Sequence, residues 1–274
     1  MSYATMMVHL GIGQTNDSRL AIAGDLAKRF GAHLIGISAA DPLPPMFFDA
    51  PIPGEVIDED RKQLNEAMRE AHERFLTATR SLGIGTEWRQ ELGNPLAFVA
   101  RNARAADLVI AGTEREATTM DNARILNASD LLMEVGRPTL LVPPEAARLD
   151  AARILVAWKD TRESRRAVWD ALPFLKRAGR VVVAELDEAD DAHAAEARVA
   201  DVVAWLGRHG IEAIGTTPLP LGDAAEQIDA IARTEKADLV VAGAYGHTRF
   251  REWILGGVTR DRILHSALPS LMAH

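Results

Sequence analysis

The 274-residue sequence contains no cysteine. That excludes disulfides, thiol catalysis and cysteine-ligated metal, and it accords with a reducing compartment. Long apolar runs are missing too: no stretch reaches the roughly 20 residues that span a bilayer. The opening run Met1-Ser-Tyr-Ala-Thr5 lacks a basic region followed by an apolar one. No signal peptide is read there, and a cytoplasmic protein is expected. Positive charge is in deficit, with a formal net charge of −8. This argues against a general nucleic-acid or anionic-membrane surface. None of the eight histidines stands in a His-x-x-x-His or His-Glu-x-x-His pair, so no metal site is expected. Gly-x-Ser-x-Gly and Gly-x-x-x-x-Gly-Lys-Ser/Thr are both absent, which removes the nucleophile elbow and the P-loop. Gly11-Ile-Gly13-Gln-Thr-Asn16 falls one glycine short of the dinucleotide fingerprint. It reads as a strand-to-helix turn, with Asn16, Asp17 and Ser18 offering helix caps.

What is present is apolar patterning: 47% of residues are hydrophobic, enough for a sizeable core. Short apolar runs alternate with amphipathic segments. Strands are expected at 6–10, 33–39, 86–92, 107–112 and 138–142, with helices at about 20–30, 56–82, from Pro95, and at 124–135. The proline-rich stretch Asp41–Gly54 is expected to be a loop. The order then recurs. Strands are expected at 153–158, 180–186, 211–217, 238–242 and near 269–272, with helices at 163–178, 189–209 and 223–234. Asp107-Leu-Val-Ile-Ala-Gly112 and Asp238-Leu-Val-Val-Ala-Gly243 nearly coincide. The repeat implies two similar halves, 1–145 and 150–274, joined by a linker near Pro143–Ala152. Alternating strands and helices make the fold class α/β with parallel sheets.

The richest stretch runs from Gly243 to Thr259. Gly243-Ala-Tyr-Gly246 follows an apolar strand, Gly256-Gly-Val-Thr259 follows after nine residues, and Arg260-Asp-Arg-Ile-Leu-His reads as a helix start. Glycines let backbone N–H groups approach an anion closely, and a helix N-terminus adds partial positive charge. The Thr259 hydroxyl stands at the same place. Arg249, Arg251, Arg260 and Arg262 make this stretch locally basic. His247, Phe250 and Trp253 within it read as an exposed residue and two packing anchors.

This spacing resembles the nucleotide loop of the universal stress protein family: Gly, two residues, Gly, nine residues, Gly, then a small residue or Ser/Thr. Gly243, Gly246 and Gly256 fill the glycine positions, Gly257 takes the small position, and Thr259 matches the hydroxyl. The resemblance extends over nearly the whole chain and corresponds to the tandem type. It implies two doubly wound modules, each a five-stranded parallel sheet flanked by helices, of the adenine nucleotide alpha hydrolase-like kind. It further implies that the second module binds ATP or a related adenine nucleotide, with Mg²⁺ as an accompanying ion. Gly243, Gly246, Gly256, Gly257, Val258 and Thr259 would lie on the phosphate side, with Ala157 and Lys159 at the end of the first strand. In the family that strand end usually carries an Asp; here Lys159 stands in its place, with Asp160 beside it.

In the first half only Gly112 of the loop survives. Glu114, Glu116 and Asp121 stand where phosphate would sit, and like charge opposes it. One nucleotide per chain is therefore expected, together with a role as a stress-response sensor. The alternatives are an interaction protein with a vestigial site and a slow ATP hydrolase, although no residue is placed to activate water. The apolar end strands near 138–142 and 269–272 are expected to meet within one chain as a pseudo-dimer. A homodimer and a protein partner are further expectations.

Overall fold

The structure, a computed structural model, describes residues 2–14, 16–43, 46–47, 50–113, 124–186, 192–219, 223–244 and 268–274. The first half begins with β1 (Thr5–His9), α1 (Asp17–Phe30) and β2 (His33–Ala40). A two-residue hairpin follows, β3 (Met46–Phe47) and β4 (Ala50–Pro51), inside the stretch expected to be loop throughout. Next come α2 (Gly54–Thr79), β5 (Thr86–Leu92), α3 (Pro95–Asn102), β6 (Leu108–Gly112), α4 (Ala128–Glu134) and β7 (Thr139–Val142). The second half has β8 (Arg153–Trp158), α5 (Arg162–Leu175), β9 (Arg180–Glu185), α6 (Ala192–Arg208), β10 (Ala213–Thr216), α7 (Ala224–Glu235), β11 (Leu239–Gly243) and β12 (Ser270–Ala273). Among the described residues no helix is long and apolar enough to cross a membrane.

Helix starts follow local side-chain chemistry. Asn94, Thr161 and Asp223 each accept a backbone N–H from the first turn of α3, α5 and α7. Asn127 does the same for α4, accepting from Ser129 N–H at 2.8 Å and Asp130 N–H at 3.2 Å. The helix expected from Arg124 therefore begins four residues later, where the cap stands. Asn16 departs from expectation in another way. It precedes α1 but makes no capping bond. Its amide instead turns back to Gly11, accepting from the Gly11 N–H (3.0 Å) and donating to the Gly11 carbonyl (2.8 Å).

Among the described residues, all strands except the small hairpin join one ten-stranded sheet, in the order β10-β9-β8-β11-β12-β7-β6-β1-β2-β5. Each half contributes five parallel strands in the same order: third, second, first, fourth, fifth. The two sets meet where β12 pairs antiparallel with β7, Leu271 opposite Leu140. The ladder joins the end strands of the two halves within one chain. The outermost strands, β5 and β10, are the ones with largely exposed residues, which accounts for their half-polar sequences.

The repeated Asp-Leu-Val-x-Ala-Gly has a structural reason. Asp107 accepts the Ala4 and Thr5 N–H groups at 2.8 and 3.0 Å, and Asp238 accepts those of Ala152 and Arg153 at 2.9 and 3.0 Å. In each half the carboxylate at the start of the fourth strand thus pins the start of the first. The five residues that follow are buried in both halves.

One sheet face is covered by α1, α2, α5 and α6 in a core continuous across both halves. Tyr3, Phe30 and Phe174 meet there with centroids 5.3 to 5.5 Å apart, and the Tyr3 hydroxyl donates to the Asp170 carbonyl at 2.6 Å. On the opposite face, α3 and α4 cover the first half and α7 the second.

Candidate functional site

In a doubly wound sheet, ligands bind outside the C-terminal strand ends where the connections diverge. In the second half that point lies between β8 and β11, neighbours in register with Ala157 opposite Ala242. Ala157 and Lys159 sit at the β8 end, both half-buried. The backbone turns sharply there, with the Thr161 N–H donating to the Lys159 carbonyl at 2.7 Å. Gly243 ends β11 and is buried. These three expected site residues are thus brought to one crevice. Gly246, Gly256, Gly257, Val258 and Thr259 lie outside the described residues, as do His247, Phe250 and Trp253.

Gly243 has a packing role that its place in a glycine motif conceals. A Cβ there would lie 2.4 Å from Ser164 N, 2.7 Å from Glu163 C and 2.9 Å from Ser164 Cα. All three are backbone atoms, so none can rotate away. The glycine is what lets the first turn of α5 dock on the end of β11.

The same first turn is already supplied with negative charge. Glu163 is buried, and its carboxylate pairs with Arg162. Burial by itself would raise the Glu163 carboxyl. Hydrogen bonds from Arg162, from its own N–H and from Thr161 outweigh that and hold it below the ordinary carboxylate range. The first turn of α5 is thus packed against Gly243 and carries the Glu163–Arg162 pair.

The first half treats the corresponding place differently. Past β1, the turn is filled by its own side chains. Asn16 braces Gly11, and Gln14 folds over Gly11 so closely that its Oε1 lies 1.7 Å from where a Cβ would be. Buried Arg19 donates to the His9 carbonyl (2.8 Å) and to Asn16 Oδ1 (3.2 Å). Burial, reinforced by Arg19, lowers the His9 imidazole to about 3, so the ring is neutral at neutral pH. Thr113, after β6, is buried as well. Glu114, Glu116 and Asp121 lie outside the described residues. Sequence reading missed Arg19; the available signal was an arginine on the apolar stripe of α1, one residue before Leu20. Among the described residues no group of three or more His, Asp or Glu is placed to hold a metal ion.

Residues 151–274 match the family model described as the universal stress protein family. Among solved structures, a universal stress protein from Archaeoglobus fulgidus DSM 4304 is similar over 98% of this chain and 96% of that one, with TM-score 0.73 and 18% identity. A functionally unknown protein from Pseudomonas aeruginosa PAO1 aligns over 99% of this chain and 92% of that one, with TM-score 0.55 and 16% identity. At these identities the likeness is one of fold. No match was found among curated proteins.

Proposed function

We propose, from the match of residues 151–274 to the universal stress protein family model, that the chain binds one adenine nucleotide, ATP or a relative, at the β8–β11 switch point. The observation that carries the reading is where the glycine-rich stretch begins. It leaves β11 at the crevice bordered by Ala157 and Lys159, next to the packed first turn of α5. Gly246, Gly256 and Gly257 then present N–H groups to the phosphates, flanked by Val258 and the Thr259 hydroxyl, and Gly243 sets the path of approach. Lys159 meets a phosphate or a ribose hydroxyl. In this reading the halves are two modules, 1–145 and 150–274. The first is closed to ligand by Gln14, Asn16 and Arg19. Nucleotide binding orders the loop and so alters the choice of protein partner, which makes the chain a cytoplasmic stress-response sensor.

Calorimetric titration with ATP, ADP and AMP tests this. A stoichiometry near one per chain is expected, with binding abolished in Gly246→Val while the far-ultraviolet circular dichroism stays unchanged. Glu114→Gln should change little. A stoichiometry near two, or undiminished affinity in Gly246→Val, would place the site elsewhere. The second reading, a vestigial site on an interaction protein, is favoured by Lys159 standing where the family usually has Asp. Absence of binding at millimolar ATP would decide for it.

A further inference from the structure

Apart from the β8–β11 crevice, the second half holds a cavity of about 480 Å³ between α5 and α6. That volume lies in the range of small-molecule sites, roughly 300–1,000 Å³. Its walls include Trp158, Trp169 and Trp205, three of the chain's five tryptophans. Their positions in sequence give no hint of this; the crossover from β8 through α5 to β9 and α6 brings them together. Trp169 and Trp205 have centroids 6.3 Å apart at 42°, and His209 lies 4.4 Å from Trp205. Trp169 is 43% exposed, an unusual state for an indole.

The polar lining is rich in donors. Arg165, Arg208 and Asp201 line it, and Arg165 also pairs with Asp160 outside the lining. Trp158 is 8% exposed, and its indole N–H is buried with no hydrogen-bond partner among the described residues. A buried indole N–H ordinarily has an acceptor. The corresponding cleft of the first half, between α1 and α2, has no tryptophan in its lining and carries Asp17, Glu70 and Glu73 against Arg74.

We propose that this cavity binds a small flat aromatic carboxylate. Its ring lies against Trp169 and Trp205, and its carboxylate accepts from the Arg208 guanidinium. Aromatic walls reward a planar ring beyond simple burial, and the surplus of donors selects an acceptor-bearing, anionic one. The inference does not depend on the nucleotide reading.

The test uses the full chain with 2-naphthoate as probe, followed by calorimetry. Saturable binding is expected. Arg208→Gln, which removes the guanidinium, should weaken it about tenfold. Trp169→Ala, at an exposed position that leaves the fold intact, should weaken it by about tenfold as well. Cyclohexanecarboxylate should bind more weakly than the probe by a similar factor, and AMP should not displace the probe. No saturable heat at millimolar 2-naphthoate would overturn the proposal, and so would unchanged affinity in Trp169→Ala. Displacement by AMP would make the cavity the nucleotide site instead. Self-association of the unliganded chain that Trp169→Ala abolishes would make it a contact between copies.

Discussion

Replacing Gly243 with alanine is expected to cost far more stability than one methyl group suggests. The added carbon would sit 2.4, 2.7 and 2.9 Å from backbone atoms of Glu163 and Ser164, where carbon contacts are normally above 3.4 Å. Relief requires the whole first turn of α5 to retreat. That helix is anchored by buried Ala167, Val168, Ala171 and Leu172 in the continuous core. Overpacking of this kind costs about 1–3 kcal/mol, and the backbone nature of all three contacts puts the expectation at the upper end. For a chain of this size each kcal/mol lowers Tm by about 2–4 °C, so a fall of roughly 6–12 °C should follow. Gly207→Ala is the matched control. Gly207 lies in α6 with no atom within 4 Å of its Cβ position, and alanine there should add about 0.5–1 kcal/mol. Thermal unfolding of both variants, followed by circular dichroism and scanning calorimetry, gives the comparison. A Gly243→Ala protein as stable as its parent would refute the docking argument and return Gly243 to a purely ligand-side role.

Two further expectations concern the frame. Asp107→Ala and Asp238→Ala each remove two backbone hydrogen bonds and should each lower the urea-derived stability by about 1–2 kcal/mol. Being far apart, the two should add; unchanged midpoints would show that the carboxylates pin nothing. His9 carries a pH dependence. The unfolded chain protonates this residue near pH 6.5, but burial and then Arg19 hold the folded ring near 3. Its contribution to stability is thus fully present above about pH 6.5 and is lost progressively as pH falls toward about 3. His9→Gln should flatten the acid limb of Tm against pH; equal slopes in parent and variant between about pH 6 and 4 would contradict the assignment.

The alternation of strands and helices could be read because buried parallel strands are short apolar runs and surface helices keep a 3.6-residue stripe. The repeat was legible for the same reason, yet the function of its aspartate was not. Asp238 meets the start of β8 across 85 residues, a pairing only the folded sheet creates. Asn16 shows the opposite limit. Its residue type and position predict a cap, but the tertiary demand of Gly11 takes its amide. The half-polar character of β5 pointed to exposure without saying that the strand would be an edge. At the site, residue type alone could not separate a glycine needed for a ligand from one needed for packing. Gly243 fits a nucleotide motif in sequence, while the surroundings of its Cα are those of a helix-docking position. The aromatic cavity was invisible because Trp158, Trp169 and Trp205 share no periodic pattern and are assembled from one strand and two helices.

The antiparallel β7–β12 ladder also sets a timetable for synthesis. β12 follows every other strand in the chain, yet it occupies the middle of the sheet. The edge of β7, Thr139–Val142, therefore waits for a partner that begins at Ser270, 270 − 142 = 128 positions later. At ribosomal rates of about 5–20 residues per second, the wait is roughly 6–26 seconds. All four β7 residues are buried in the finished fold. During that interval they form an apolar open edge, the kind of surface on which another nascent chain can dock. The partner it awaits runs antiparallel, so a second copy of β7 approaching about a two-fold axis would meet it in the same sense. A chain interrupted before β12 would keep that edge permanently, and its expected fate is association through the first half rather than a simple loss of ligand binding.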